Sequence, residues 1–216
     1  MGRSRRLRRE RSGQVEACQS APKAQGVRES RFCKCLSRLE FFWVTVSICR
    51  KNTITPKGTL LMALLRSVGV PCRFHGFTID KALQKGAITG IAYVLAPQRI
   101  LHSWVEVWFE GRWVCLEGFI LDAQYLGSLQ RRFPGARRFC GFGAATPDLS
   151  APAVEWRGQD TFIQKEGIVD DFGTFDDPDA FYARHGANLR GPKRWLFVHA
   201  VRRWMNDNVA RVRAGQ

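Results

Sequence analysis

The stretch Lys57–Asp122 decides the fold. KGTLLMALLRSVG (57–69) runs into VPCRFHGFTI (70–79), and ILHSWVEVWF (100–109), EG (110–111) and RWVCLEGF (112–119) follow in succession. In the first piece Leu60, Leu64 and Val68 fall four apart with Leu61 and Leu65 beside them, the spacing of one apolar helix stripe. Thr55 suits the N-cap and Pro56 the first helical position. Gly69 offers a left-handed C-terminal residue, and Pro71 blocks continuation. Val70–Ile79 reads as a strand, and Asp80–Pro97 as a looser connection.

Residues 100–109 alternate. Leu101, Ser103, Val105, Val107 and Phe109 share one face, and Ile100, His102, Trp104, Glu106 and Trp108 the other. Glu110-Gly111 is a turn signal, so Arg112–Phe119 returns as the partner strand of a hairpin. With those two residues as the loop, Phe109 faces Arg112 and His102 faces Phe119. Glu117 then lies one diagonal step from His102 on the same face, about 7–8 Å away at the backbone. Asp122 has the opposite parity, which makes Glu117 the better partner for the imidazole.

Helix, strand and hairpin in this order resemble the core of the transglutaminase-like superfamily, over residues 55–122. His102-Ser103-Trp104 stands where that family has His-x-Trp, and Glu117 where it has an acid, more often Asp. Gly58 matches the small residue four positions after the nucleophile, which puts the nucleophile position on Ile54. The resemblance implies an α+β, papain-like core of a helix packed on an antiparallel sheet, with a C-terminal helical extension. It implies acyl transfer at a protein or peptide carboxamide, by transglutamination or by amide hydrolysis through a thioester. His102 would be the general base and acid, and Glu117 its orienting partner; no cofactor or metal is implied. Such chemistry needs a thiolate at a helix N-terminus, where the dipole lowers its pKa, and an imidazole to shuttle the proton. Ile54 has no thiol, so the chain as written is expected to be catalytically impaired. The rival reading is a non-enzymatic module that uses a retained cleft to bind a peptide.

The other thiols and imidazoles fill the gap poorly. Cys49 lies five residues before Ile54, Cys72 follows the far end of the helix, and Cys115 stands opposite Glu106 as a packing residue. His75, His185 and His199 show no partner pattern. Cys33-Lys-Cys35 lacks the second pair a zinc site needs. Seven cysteines, an odd count without secretory spacing, suit reduced thiols and a cytoplasmic setting.

With 216 residues and 45% hydrophobic side chains, the sequence can build a core of one domain plus extensions. The net charge of +15 is uneven, and residues 1–13 carry six arginines against Glu10. Residues 1–31 read as a disordered basic leader, 32–149 as the core, and 150–216 as an extension with an acidic loop and a terminal helix. The leader offers a nucleic-acid reading, but no nucleic-acid fold follows it, so nucleic acid is not the expected partner. No membrane partner is expected either, because the longest apolar run, Leu39–Cys49, is too short to span a bilayer. The oligomeric state is not legible. Residues 154–179 hold eight Asp or Glu without the ligand spacing of a calcium loop, and read as a solvated loop with helix caps. Asp177-Pro178 opens a short helix ending at Gly186, and Pro192 starts a last helix with Val198, Val201, Met205, Val209 and Val212 on its apolar side.

Overall fold

The computed structural model describes residues 54–189 and 191–216. The basic leader, Cys33, Cys35, the Leu39–Cys49 run and the side chain at Ile54 lie outside what is described. Helix α1 (Ile54–Ser67) is followed by β1 (Cys72–Asp80), a 3-10 turn, the short α2 (Gly90–Leu95), and the hairpin β2 (Arg99–Phe109) and β3 (Arg112–Leu116). Next come α3 (Ala123–Arg132), a small hairpin β4 (Phe139–Gly141) and β5 (Ala144–Thr146), then β6 (Ile168–Phe175) and α4 (Pro178–His185). Helix α5 (Gly191–Leu196), a π turn (Phe197–Val201) and α6 (Arg202–Arg213) complete the chain. The α+β class with an antiparallel sheet and a C-terminal helix is therefore the one observed.

The main sheet has the order β3-β2-β1-β6 with every pair antiparallel. Helix α1 starts at Ile54, just ahead of the Thr55-Pro56 start read from the sequence, and ends as expected. Gly69 adopts φ +77°, the Val70 N–H donates to the Leu65 carbonyl at 2.9 Å, and the Gly69 N–H to that of Arg66 at 3.0 Å. Its buried line differs from the expected stripe. Leu61, Met62 and Leu65 enter the core, whereas Leu64 and Val68 are exposed. At Gly58 the helix lies against β2, where an added Cβ would stand in ordinary contact, 3.7 Å from Val105. A helix seated there turns inward the residues three, four and seven positions later. They meet Cys72, Phe74, Val105, Val107, Val114 and Leu116.

The β2–β3 hairpin closes as the alternation requires. Phe109 pairs with Arg112, and Glu110 and Gly111 both take positive φ (48° and 79°), the two-residue turn that suits strand twist. The ladder stops at Leu116, paired with Val105. Glu117 then leaves it into a 3-10 turn, Gly118–Ile120, so Phe119 does not face His102 as the extrapolated register had it. His102 is paired instead with Phe77 of β1.

The chain beyond 150 enters the sheet itself, so the boundary drawn at 149/150 does not mark the edge of the packed unit. The supposed acidic loop contains β6, which pairs with β1 from Ile79↔Ile168 to Phe74↔Phe175, with register shifts at Gly76/Phe77 and Thr78/Ile79. Its carboxylates have partners: Asp170 binds Arg99 and the Thr78 hydroxyl, both at 2.7 Å. Asp177 caps α4 by accepting from the Ala180 N–H, and Gly186 (φ +79°) ends that helix. Phe181 of α4 is fully buried against Phe74. Helix α6 docks on α3: Val212 is buried there, the Ser128 hydroxyl donates to its carbonyl at 2.5 Å, and Arg213 binds Asp122 at 2.6 Å. Among the described residues no helix is long and apolar enough to cross a membrane.

Gly118 is the tightest point of this turn, because a Cβ there would fall 2.5 Å from the Val154 carbonyl oxygen. Gly118→Ala is expected to lower unfolding stability by about 1–3 kcal/mol in denaturant titration. Gly127→Ala, on α3 with only the Arg131 guanidinium at 3.4 Å, should be neutral or mildly stabilising in the same assay.

Candidate functional site

Alternation along β1 and β2 sends Phe77, His75, His102, Trp104 and Glu106 to one face, away from the Val105 side on which α1 sits. His102 is only 3% exposed and lies on the Phe77 ring, centroids 5.1 Å apart. The backbone N–H of Ser103 donates to its Nδ1 at 2.8 Å. Nδ1 is therefore the acceptor nitrogen, and the neutral ring carries its proton on Nε2. Burial drives the His102 pKa down to about 3, with the Gln164 side chain pulling the other way. Nε2 itself has no hydrogen bond of ordinary geometry, and neither has Gln164 Oε1. Burial thus holds the imidazole neutral.

Glu117 is fully buried at the end of β3. Its Oε2 accepts from the backbone N–H groups of Ile163 and Gln164, each at 2.9 Å, while Oε1 has no partner. Burial raises its pKa to about 7 despite those two donors. The Gln164 side chain is fixed in turn by donating to the Gly143 carbonyl at 2.6 Å. The hydrogen bonds of Glu117 run to the backbone around Gln164 and not to His102, the partner read from the sequence. It is the Gln164 side chain that acts on His102. Nothing near 164 in the sequence advertised this role, because Gln164 reaches the imidazole only through the return of the chain after 150.

Helix α1 packs on the opposite face of the sheet from His102, and its opening touches the turn after β3. The Lys57 ammonium donates to the Ile120 carbonyl at 3.1 Å, three residues past Glu117, and burial lowers its pKa. Asp122 serves structure: it caps α3 through the Tyr125 N–H and binds Arg213. Cys72 is buried in the core under α1. Cys115 contacts Glu106 at 3.9 Å, and burial followed by the charges of Glu106 and Asp160 raises its pKa steeply, so it is an inert thiol.

A second polar group on the same face escaped the sequence reading. His75 Nδ1 lies 2.5 Å from Glu106 and Nε2 2.7 Å from Asp171, and Arg73 holds the other Glu106 oxygen at 2.6 Å. An imidazole between two carboxylates must donate from both nitrogens. Burial opposes its charge, but the hydrogen bonds to Glu106 and Asp171 raise its pKa. Strand parity puts His75 and Glu106 on one face; Asp171 comes from the unrecognised β6. Among the described residues no group of three or more His, Cys, Asp or Glu is arranged to hold a metal ion.

Residues 44–117 match the family model of the transglutaminase-like superfamily core, a match that ends on Glu117. No curated protein and no solved structure matches the chain.

The buried carboxyl gives a pH signature. In the native state Glu117 keeps its proton to about pH 7, whereas in the unfolded chain it ionises near 4.5. Native stability should fall as pH rises from about 4.5 to 7, by up to about 3 kcal/mol from this group. In Glu117→Gln that part of the decline should disappear, read by denaturant titrations at a series of pH values. His102 acts in the opposite sense. Its native pKa near 3 means stability is lost as pH falls below about 6.5, and His102→Gln should flatten the acid limb.

Proposed function

On the premise that residues 44–117 are a transglutaminase-like core, we propose that this chain keeps the acid and imidazole of a Cys-dependent acyl-transfer site and does not form the acyl-enzyme. The observation that carries the reading is the sequence at the helix mouth: no cysteine lies between Cys49 and Cys72, and α1 opens on Ile54-Thr55-Pro56-Lys57-Gly58.

In an active site of this class a thiolate at the helix opening attacks a carboxamide carbonyl, ammonia or an amine leaves, and an amine or water resolves the thioester. Here the proton-transfer group is His102. Glu117 positions it indirectly, by holding the backbone at Gln164 whose amide faces the ring. A neutral imidazole with Nδ1 occupied by the Ser103 N–H is ready to orient but poor at taking a proton. The substrate class that such a site would address is a protein or peptide carboxamide.

The protein should incorporate no amine acceptor into a glutamine-containing donor peptide; turnover that depends on His102 would overturn the proposal. Ile54→Cys tests the alignment. It should add one iodoacetamide-reactive thiol whose rate drops in Ile54→Cys/His102→Asn. An unchanged rate would separate the imidazole from the helix opening.

A further inference from the structure

The large apolar side chains that stay exposed are concentrated on two short helices. Ile91 and Val94 of α2 are 79% and 72% exposed, with Leu95 beside them. Trp195 of α5 is 66% exposed and Leu196 is exposed with it. These residues lie outside the clusters that form the core among the described residues. The substantial packing of α5 is with the π turn that follows it. The two helices are fastened to one another's supports, because Asn208 of α6 donates to the carbonyls of Gly86 and Ala87, on the approach to α2, at 2.9 and 2.8 Å.

The charge around α5 is of one sign. From 190 to 206 the sequence has five Lys or Arg and no Asp or Glu. Arg194, His199 and Arg203 are exposed, and the His199 ring lies 5.0 Å from that of Trp195. An exposed Trp and Leu next to cations is the pattern of a helix lying at a water–lipid boundary: the apolar side chains enter the acyl edge and the cations meet anionic headgroups. Nucleic acid would use the cations but would leave Ile91, Val94, Leu95 and Leu196 unburied. A second copy of this chain would bring +15 against +15.

We propose that α5, together with the exposed tip of α2, docks the protein on an anionic phospholipid surface. The proposal is independent of the acyl-transfer site. It concerns adsorption to one leaflet and needs no spanning helix.

The test is co-sedimentation of the full chain with vesicles of phosphatidylcholine and phosphatidylserine at 70:30, against pure phosphatidylcholine. Partition should be at least about tenfold higher on the anionic vesicles and fall with added salt. Trp195→Ser/Leu196→Ser, exposed positions whose change spares the core, should weaken it about tenfold or more, and Ile91→Ser/Val94→Ser should weaken it too. No binding to anionic vesicles overturns the proposal. So does binding that neither pair weakens, which assigns it to another basic segment such as residues 3–11. Equal binding to neutral vesicles removes the role of charge and overturns it as well. Retention of an oligonucleotide without retention of vesicles, or a dimer that Trp195→Ser/Leu196→Ser dissociates, replaces the occupant.

Discussion

A carboxylate taken fully out of water must be given hydrogen-bond donors, and at Glu117 those donors come from chain that lies far away in sequence. Its Oε2 accepts from the N–H groups of Ile163 and Gln164, 46 and 47 residues downstream. That grip places Gln164 beside His102. It also fixes the point from which the chain runs into β6 and along the free side of β1. Thr161 strengthens the same junction, its hydroxyl accepting from the N–H groups of Glu117 and Gly118. Two segments that share no local sequence signal thus become one wall of the site. The cost of burying an acid is offset in part by an arrangement that no helix or hairpin could build alone.

The parts of the fold that were legible are those whose signal is local. The β2–β3 hairpin could be read because alternation and a Glu-Gly turn both fix its register, and Phe109↔Arg112 is the pair they demand. The end of α1 could be read because Gly69 and Pro71 each leave the chain one choice. The face that α1 buries could not, since leucines occur all round that helix and only its packing on β1 and β2 selects Leu61 and Leu65. Strand β6 was hidden by its carboxylates. Asp170 and Asp171 look solvated in a string of acids, and only the cations and hydroxyl of neighbouring strands reveal what they are for. His75 and Gln164 were invisible for the same reason, as each takes its meaning from chain beyond residue 150.

The two polar groups on the inner face differ in kind. Around His75 every ring nitrogen and three of the four carboxylate oxygens of Glu106 and Asp171 have a partner, and the charges alternate, so the group acts as a clasp between β1, β2 and β6. Around His102 the reverse holds: one atom each of His102, Glu117 and Gln164 is buried and unbonded. Native interiors keep such atoms sparingly, and three of them fall on residues linked through Gln164.

Among the described residues the sheet order leaves β6 at one rim. A rim strand exposes a row of backbone donors and acceptors that invites a stranger to extend the sheet. Here two adjacent aspartates sit midway along that rim, Gly173 follows with φ +77°, and the ladder beneath is broken twice by register shifts. An incoming strand would meet a kink and a ladder out of register. The acidity that disguised this strand in the sequence is spent on its neighbours, and it is the kink and the broken register that make the outer edge a poor template for another strand.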